Sequence, residues 1–192
     1  MSETPAVPEQ TAPLAAPLVW IDCEMTGLDP EVEVLVEIAV IVTDGHLKRI
    51  EEGPDIVISQ PAEALAAMAE VVRDMHSSSG LTEAVLASEV DVAEAERQVL
   101  EFVRRFVPEP RSAPLAGNSV HADRAFLRRY MPTLEAYVHY RNVDVSTVKE
   151  LARRWYPGVL DSAPPKAGGH RALADIRESI EELRWLRESI FR

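Results

Sequence analysis

The amino-acid sequence predicts an α/β sandwich around one mixed β-sheet. Apolar, β-branched segments come first along the chain, and strand-like segments then alternate with helix-like ones. The length of 192 residues and the hydrophobic content of 46% are sufficient for one domain with a substantial core. We therefore expect a single domain over residues 17–192, preceded by a disordered tail, rich in Pro and Ala, over residues 1–16.

Five segments have the composition of β-strands: residues 18–24, 32–45, 53–59, 114–118 and 140–145. Helical patterns cover residues 61–107, 121–131, 146–157 and 170–191. The clearest helix covers residues 91–107, where apolar residues recur at helical spacing and Asp91 is placed to cap the N-terminus. For the helix over residues 146–157, the sequence predicts Ser146 as the cap and Pro157 as the stop.

The composition limits the partners and the compartment. The formal net charge of −12 argues against a protein that holds long nucleic acid on a basic surface. A short nucleic acid remains compatible, because a local basic pocket or bound metal ions can supply positive charge. The N-terminus lacks the basic and apolar regions of a secretory signal, and no apolar run approaches the roughly 18 residues of a membrane span. With Cys23 as the only cysteine, these features predict a cytoplasmic protein without an internal disulfide.

The first predicted strand carries two acidic residues, Asp22 and Glu24, in the segment WIDCEMTGL. Side chains alternate between the faces of a strand, so both carboxylates lie on one face and Cys23 lies on the other. Two neighbouring carboxylates repel each other unless they reach solvent or bind a cation between them. Because Mg²⁺ and Mn²⁺ prefer oxygen ligands, the pair indicates either a solvated strand end or a metal site.

Two further acids and a histidine are candidates to join this pair. Asp123 lies at the start of a helix that follows a short strand, where α/β sheets gather functional groups. Asp175 lies near the start of the last helix. Each is also compatible with an ordinary acid in the first turn of a helix, which the helix dipole favours. His170, directly after two glycines, is expected on a loop, where it is either solvated or free to approach a substrate.

Together these residues form the order D-x-E, a distant D, and H-x4-D, which resembles the DEDDh family of 3′-to-5′ exonucleases with a ribonuclease-H-like fold. Five longer segments resemble the oligoribonuclease branch of that family, which degrades very short RNA: WIDCEMTGLDP, MHSSSGL, GNSVHADRAFLRRYMPTLEAYVHYR, DVSTVKELARRWYP and HRALADIRESIEELR. The resemblance covers about residues 18–191. It implies a mixed five-stranded sheet flanked by helices, and hydrolysis of dinucleotides and similar short RNA to mononucleotides.

The resemblance also implies the catalytic residues. Asp22, Glu24, Asp123 and Asp175 correspond to the carboxylates that bind two divalent cations, Mg²⁺ or Mn²⁺, and His170 corresponds to the general base. The chemistry supports this assignment, since two cations about 4 Å apart activate a water and stabilise charge on both the attacking and the leaving oxygen. A neutral histidine can take the proton of that water near physiological pH.

Leu28 and His76 are similar to residues that contact the substrate in this family. Leu28 resembles a wedge that packs against the bases, and His76 resembles a residue near the 3′ end. The chain departs from the family at two places: Val71 replaces an aromatic that some relatives carry, and the segment PGVLDSAPPKAGG is divergent and rich in Pro. We expect His121 to be a solvated residue at the start of a helix rather than a metal ligand.

Five other residues match a binding site for the 5′ end. Ser119, Ser146 and Thr147 are similar to a cap for the 5′ phosphate, and Tyr140 with Arg141 is similar to a pair contributed by the neighbouring subunit of a homodimer. Hydroxyl groups and a guanidinium suit a terminal phosphate, and a capped groove would exclude longer strands. Without the resemblance, Ser146 is explained as an N-cap and Tyr140 as an aromatic of the core or of an edge strand.

Two other functions remain compatible with the sequence. A DEDDh proofreading or repair exonuclease that acts on DNA would need a basic open groove, which the acidic balance disfavours. A non-catalytic metal-binding or interaction module would be expected to have lost an acid or the histidine, and all five are present. The sequence lacks the Cys/His-rich ligand set of a zinc hydrolase.

Overall fold

The computed structural model describes residues 13–165, 169 and 171–191. Its centre is a mixed sheet of five strands: β1 (Leu18–Met25), β2 (Leu35–Thr43), β3 (Ile50–Val57), β4 (Pro114–Gly117) and β5 (His139–Asp144). The spatial order is β3-β2-β1-β4-β5, in which β2 is antiparallel to β1 and β3, and β4 is parallel to β1 and β5. The predicted α/β class and mixed five-stranded sheet are confirmed.

The described helices are α1 (Ala62–Ala66), α2 (Glu70–Ser78), α3 (Leu81–Ala87), α4 (Val92–Phe106), α5 (His121–Tyr130), α6 (Pro132–Tyr137), α7 (Val145–Trp155) and α8 (Ala172–Ile190), and a 3-10 turn covers Val159–Ser162. On one face of the sheet, α4 and α5 pack over a core that includes Ile21, Val40 and Phe126. On the other face, α7 and α8 pack around Trp20 and Ile176. Because both faces are covered, β2 is buried along its whole length.

The structure refines several predicted boundaries. β2 begins at Leu35 rather than at residue 32, and β3 begins at Ile50 rather than at residue 53. The helical region predicted over residues 61–107 divides into four helices, and Gly80, with φ of +73°, separates α2 from α3. Such a left-handed conformation suits glycine. Asp91 caps α4 as predicted, since its Oδ1 accepts a hydrogen bond from the backbone N–H of Glu94 at 2.8 Å.

The prediction of Ser146 as the cap of α7 is wrong. Asp144 is the residue in extended conformation before the helix, and its Oδ1 accepts hydrogen bonds from the backbone N–H groups of Ser146 at 2.9 Å and Thr147 at 3.4 Å. The helix therefore starts two residues earlier than the hydroxyl-rich pattern indicates, and Ser146 lies inside its first turn. The Ser146 side chain is thereby released from capping.

The packed chain begins before residue 17. Leu14 is buried in the core, and its N–H donates to the carbonyl oxygen of Phe106 at 3.2 Å. The carbonyl oxygen of Ala15 accepts from the N–H of Gly45 at 3.0 Å. Leu14 and Ala15, which belong to the predicted tail, thus contact the folded part of the chain, while residues 1–12 lie outside the described residues. Among the described helices, none is long and apolar enough to cross a membrane.

The topology brings several functional segments to one edge of the sheet. β1, β4 and β5 are parallel, with β4 between the other two, so their C-terminal ends meet at that edge. β1 ends there with Glu24 and Met25, β4 is followed by Asn118, and β5 ends at Asp144, where α7 begins. Ligands of open α/β sheets bind outside the carboxyl ends of such strands.

Candidate metal centre

Three carboxylates converge near the C-terminal end of β1. Asp22 and Glu24 come from β1 and Asp175 comes from the first turn of α8, and one oxygen atom of each lies within 4.8 Å of the others. The intervening Cys23 packs into the core on the opposite face, as strand alternation predicts. The register of β1 with β2 shifts between Glu24 and Met25, and such irregularities commonly re-aim side chains next to functional sites.

Asp123 approaches the same place from α5. Its side chain is buried, and its Oδ1 accepts a hydrogen bond from the backbone N–H of Cys23 at 2.9 Å. Asp123 lines one cavity together with Asp22, Glu24 and Asp175. The structure therefore gathers all four predicted acids, three in a tight cluster and Asp123 tied to the backbone of β1.

The carboxylates are held where their charged forms are disfavoured. Burial, with repulsion from Asp123 and Glu24, raises the pKa of Asp22 well above its ordinary range. Burial, with repulsion from Asp175 and other acids, raises the pKa of Glu24 to about 8. Burial raises the pKa of Asp123 to about 7, although the hydrogen bond from the Cys23 amide acts to lower it. A cation among these oxygens would offset both the burial and the repulsion.

A cavity of about 360 Å³ opens over the cluster. Besides the four acids and Cys23, its lining residues are Asn118, Ser119, Ala122, Glu178 and Ser179. The clustered ligand atoms are all carboxylate oxygens, which Mg²⁺ and Mn²⁺ prefer over the nitrogen and sulfur ligands typical of zinc. The donor set therefore fits a divalent cation with oxygen ligands.

The sequence reasoning missed a buried carboxylate behind the cluster. Glu37 on β2 is fully buried, and its Oε1 accepts hydrogen bonds from Nε and Nη2 of Arg171 at 2.8 and 2.6 Å. Its Oε2 accepts from the N–H of Ala172, the first residue of α8, at 3.0 Å. Glu37 thus caps α8 from another element and fixes the start of the helix that carries Asp175. The available sequence signal was one acid inside the apolar run VEIAVIV.

His76 on α2 lies next to the cluster but is buried. Its Nε2 is 2.9 Å from the carbonyl oxygen of Met25, and since a carbonyl only accepts, Nε2 carries the proton and donates. Its Nδ1 lies 4.0 Å from a carboxylate oxygen of Glu24 and has no hydrogen-bond partner among the described residues. His76 therefore contacts both the backbone at the end of β1 and the Glu24 side chain.

The three predicted cap residues are brought together. Ser119, Ser146 and Thr147 line one pocket with Asp144, whose Oδ1 accepts from the N–H of Ser119 at 3.1 Å. Ser119 has a φ of +51°, a left-handed conformation that is uncommon for a non-glycine residue and concentrates at functional sites. Because Ser119 also lines the cavity over the acids, the two pockets adjoin. His121 is exposed at the start of α5, as predicted, with Nδ1 3.8 Å from an oxygen of Asp144.

Tyr140 and Arg141 lie away from these pockets within the chain. They are in the first half of β5, whereas the cap is at its end. At ~3.3 Å per residue, Tyr140 precedes Asp144 by about 13 Å along the strand and Arg141 precedes it by about 10 Å. Both side chains are exposed, and Nε of Arg141 donates to the Tyr140 hydroxyl at 3.2 Å. Leu28, in the loop after β1, is 83% exposed. The predicted base His170 lies outside the described residues.

Comparison with known proteins agrees with this geometry. A family model described as an exonuclease matches residues 19–183. An oligoribonuclease of Streptomyces avermitilis is 59% identical over 174 residues, which cover 91% of this chain and 86% of that protein. An oligoribonuclease of Mycobacterium ulcerans is 55% identical over 174 residues, which cover 91% of this chain and 81% of that protein.

Solved structures agree with the fold. Exonuclease I of Methylocaldum szegediense has a TM-score of 0.67 at 20% identity, over 92% of this chain and 41% of that chain. Exonuclease I of E. coli in complex with a 5cy-dT13 oligonucleotide has a TM-score of 0.68 at 18% identity, also over 92% of this chain and 41% of that chain. The chain spans well under half the length of these two proteins, and the likeness shows the ribonuclease-H-like fold alone. From the matched model and the two close relatives, the chain belongs to the exonuclease family and, within it, to the oligoribonucleases.

Proposed function

We propose that the chain is a 3′-to-5′ exoribonuclease that hydrolyses very short RNA, such as dinucleotides, to mononucleotides and so completes RNA turnover. The observation that carries this proposal is the convergence of Asp22, Glu24 and Asp175 within 4.8 Å, beside Asp123. The identity of 59% to an oligoribonuclease supports short RNA rather than long DNA as the substrate.

The cofactor is proposed to be two Mg²⁺ or Mn²⁺ ions per site. When bound, two such ions activate a water and stabilise charge on the attacking and leaving oxygens of an in-line displacement. Asp22 would be the central ligand, because one of its carboxylate oxygens lies within 4.8 Å of those of Glu24 and Asp175 and it lines one cavity with Asp123. Glu24 and Asp175 complete the cluster, and the tie from Asp123 to the backbone of β1 fixes the fourth carboxylate.

His170 is the proposed general base that accepts a proton from the attacking water. Its neighbour Arg171 is held by the buried Glu37, so the chain is fixed one residue after the base. Arg171 directly precedes α8, and the first turn of that helix carries Asp175.

Selection for short substrates is proposed to come from the pocket at the end of β5. Ser119 and Thr147 offer hydroxyl groups there, directly beside the cavity over the acids. A 5′ phosphate seated in this pocket leaves room for very few nucleotides before the cleavage position. The exposed Leu28 is the proposed wedge against the bases, and His76 is proposed to serve the 3′ end through its position behind Glu24.

The functional unit is proposed to be a homodimer in which Tyr140 and Arg141 serve the neighbouring site. Two observations support this arrangement: both residues are exposed on the edge strand β5, and both lie in the half of that strand that is further from the cap of their own chain. The cap itself contains the acidic Asp144, so a guanidinium from a second subunit would balance the charge of a bound phosphate. A cytoplasmic location is proposed from the single buried cysteine, Cys23.

The test is a comparison of turnover on a labelled 5′-phosphorylated RNA dinucleotide and on an RNA of about 20 nucleotides, both with Mn²⁺. We expect the dinucleotide to be favoured in kcat/KM by about tenfold or more, which corresponds to ~1.4 kcal/mol. Asp22→Asn serves as the inactive control. Equal kcat/KM on both RNAs would refute the preference for short substrates, and activity of Asp22→Asn equal to wild type would refute the metal site.

A further inference from the structure

A continuous chain of hydrogen bonds joins the proposed phosphate pocket to the acidic cluster through Asn118, a residue to which the sequence assigned no role. Asn118 follows β4 and lines the cavity over the acids. Its Nδ2 is 2.8 Å from the hydroxyl oxygen of Ser179 and 3.1 Å from Oε2 of Glu182, both on α8. Its Oδ1 is 2.9 Å from the hydroxyl oxygen of Ser146 on α7. One side chain therefore links three elements.

The direction of each hydrogen bond is fixed by its partners. Lys149 donates to Glu182 at 3.0 Å, so the Glu182 carboxylate is an acceptor and the Asn118 atom that faces it must be the amide nitrogen. Oδ1 of Asn118 then faces Ser146, whose hydroxyl must donate to it. The Ser146 oxygen in turn accepts from the Ser119 hydroxyl at 3.1 Å.

The same chain continues to the cluster. The Ser179 hydroxyl accepts from Asn118 and donates to the backbone carbonyl of Asp175 at 2.8 Å. All the donors thus point one way, from Ser119 through Ser146, Asn118 and Ser179 to Asp175. Because Ser146 donates to Asn118 and Ser119 donates to Ser146, the network fixes the orientation of both serines, and Thr147 retains a hydroxyl group that can donate to a ligand.

We propose that Asn118 is a positioning residue that holds the terminal-phosphate pocket at a fixed separation from the metal cluster and thereby sets the preference for 5′-phosphorylated short RNA. This inference rests on the proposed function. Only an amide supplies both the acceptor for Ser146 and the two donors for α8, so no other common side chain of this size reproduces the link. Hydrogen bonds in such a network polarise one another, which makes the link stiffer than its separate members.

The experiment measures kcat and KM with Mn²⁺ for an RNA dinucleotide carrying a 5′ phosphate and for the same dinucleotide with a 5′ hydroxyl. The phosphate preference is the ratio of the two kcat/KM values. The variant Asn118→Asp keeps the acceptor for Ser146 but loses both donors and faces the Glu182 carboxylate. Ser179→Ala removes the hydroxyl that accepts from Asn118 and donates to Asp175, but it keeps the hydrogen bond from Asn118 to Glu182. Ser112→Ala, which removes an exposed hydroxyl on another turn, is the matched control.

We expect Asn118→Asp to lower the phosphate preference by about fivefold or more, the ratio that one lost hydrogen bond supplies. The loss should appear as a higher KM for the phosphorylated dinucleotide, with a smaller rise in KM for the 5′-hydroxyl dinucleotide. Ser179→Ala should lower the preference in the same direction by less, and Ser112→Ala should not change it. Both tested variants should keep the rise in melting temperature on Mn²⁺ addition, which a general disruption of the site would remove.

An unchanged phosphate preference in both variants would overturn the inference. If Asn118→Asp fails to fold, the result with Ser179→Ala decides alone. A wild-type enzyme that cleaves both dinucleotides without a phosphate preference would overturn the inference and leave the exonuclease activity standing. A wild-type protein that cleaves neither dinucleotide would instead overturn the proposed function.

Discussion

Glu37 lies directly opposite Glu24 across the β1–β2 ladder, yet the two carboxylates have different partners. Glu24 faces the other acids of the cluster, whereas Glu37 is bound by the guanidinium of Arg171 and the first N–H of α8. Arg171 also lowers the pKa of Glu24 against the larger effect of burial. Of these two neighbouring acids, Glu24 is thus available to a cation, whereas Glu37 anchors the start of α8.

We expect Arg171 and Glu37, which form an ion pair at the start of α8, to contribute unequally to the free energy of unfolding. Arg171→Gln should lower the free energy of unfolding by roughly 3–5 kcal/mol, because it leaves the fully buried Glu37 carboxylate without its charge partner. Glu37→Gln should cost less, since the Arg171 side chain is 38% exposed and can reach water. Urea unfolding measures both values. The exposed pair between Arg177 on α8 and Glu52 on β3 is the matched control, and Arg177→Gln should cost at most about 1 kcal/mol.

Divalent cations should stabilise the fold. Any ligand that binds only the native state raises its stability, and here the cation also relieves repulsion among Asp22, Glu24 and Asp175. The melting temperature should therefore rise with Mg²⁺ or Mn²⁺ in the wild type and stay constant in Asp22→Asn. Asp74→Asn, which removes an exposed acid on α2, should keep the full rise. A wild-type melting temperature that saturating Mn²⁺ does not move would contradict the metal site.

The metal-free protein should lose stability as the pH rises from about 4.5 to about 8. The pKa values of Glu24, about 8, and Asp123, about 7, lie above those of unfolded carboxyl groups, so the folded state binds more protons in this interval. The contribution of these two groups is complete below the unfolded pKa and disappears as the pH passes the folded values. Melting in a chelator at pH 5, 6.5 and 8 measures the effect.

Glu24→Gln isolates this contribution from that of the other titrating groups. The glutamine cannot ionise, so the stability of this variant relative to wild type should increase between pH 5 and pH 8. A difference that stays constant over this interval would show that Glu24 titrates in its ordinary range.

A site shared between subunits predicts complementation. Arg141→Ala should be weakly active because the neighbouring cap loses its cation, and Asp22→Asn should be inactive because its own metal cluster is incomplete. Mixed dimers contain one site in which an intact cluster meets an intact Arg141, so mixing the two variants should restore part of the activity. Subunit exchange is verified with two distinguishable tags. Mixed dimers with no more activity than the separate variants would exclude a contribution of Arg141 in trans.

Arg124 is expected to be essential for the position of β5. It is buried on α5 and donates to Glu135, to Asn142 and to the carbonyl oxygens of His139 and Tyr140. Arg124→Met should lower the free energy of unfolding by about 3 kcal/mol, because the buried guanidinium makes several hydrogen bonds that methionine cannot replace. The control is Arg128→Met, which removes a 71% exposed arginine near the same Glu135. A similar loss in both variants, measured by urea unfolding, would refute the role.

Much of the fold and of the site follows from the sequence. The alternation that puts Asp22 and Glu24 on one face is a local property of a strand, and the structure confirms both the strand and the shared face. Asp123 and Asp175 were candidates because they lie in the first turns of helices, and both line the cavity. These predictions succeed because backbone periodicity and helix starts depend on residues close together in the chain.

Other features were hidden because they depend on residues far apart in the chain. Ser146 has the composition of an N-cap, and the structure assigns that role to Asp144, since the end of β5 determines where α7 begins. Leu14 lies in a segment of disordered composition, and it is buried because α4 offers it an apolar surface and a backbone acceptor. The composition of a segment does not indicate which distant residues it will contact in the folded chain.

The sequence by itself determined the element types, the acidic residues of the metal centre and the resemblance to short-RNA exonucleases. Only the tertiary structure decided which carboxylate joins the acidic cluster and which one anchors a helix, as Glu24 and Glu37 show. It likewise decided that Asn118 joins Ser146 on α7 to Ser179 on α8. The physical reason is that a buried polar group takes its role from the donors and acceptors that the fold places around it, and those lie up to 135 residues away along the chain.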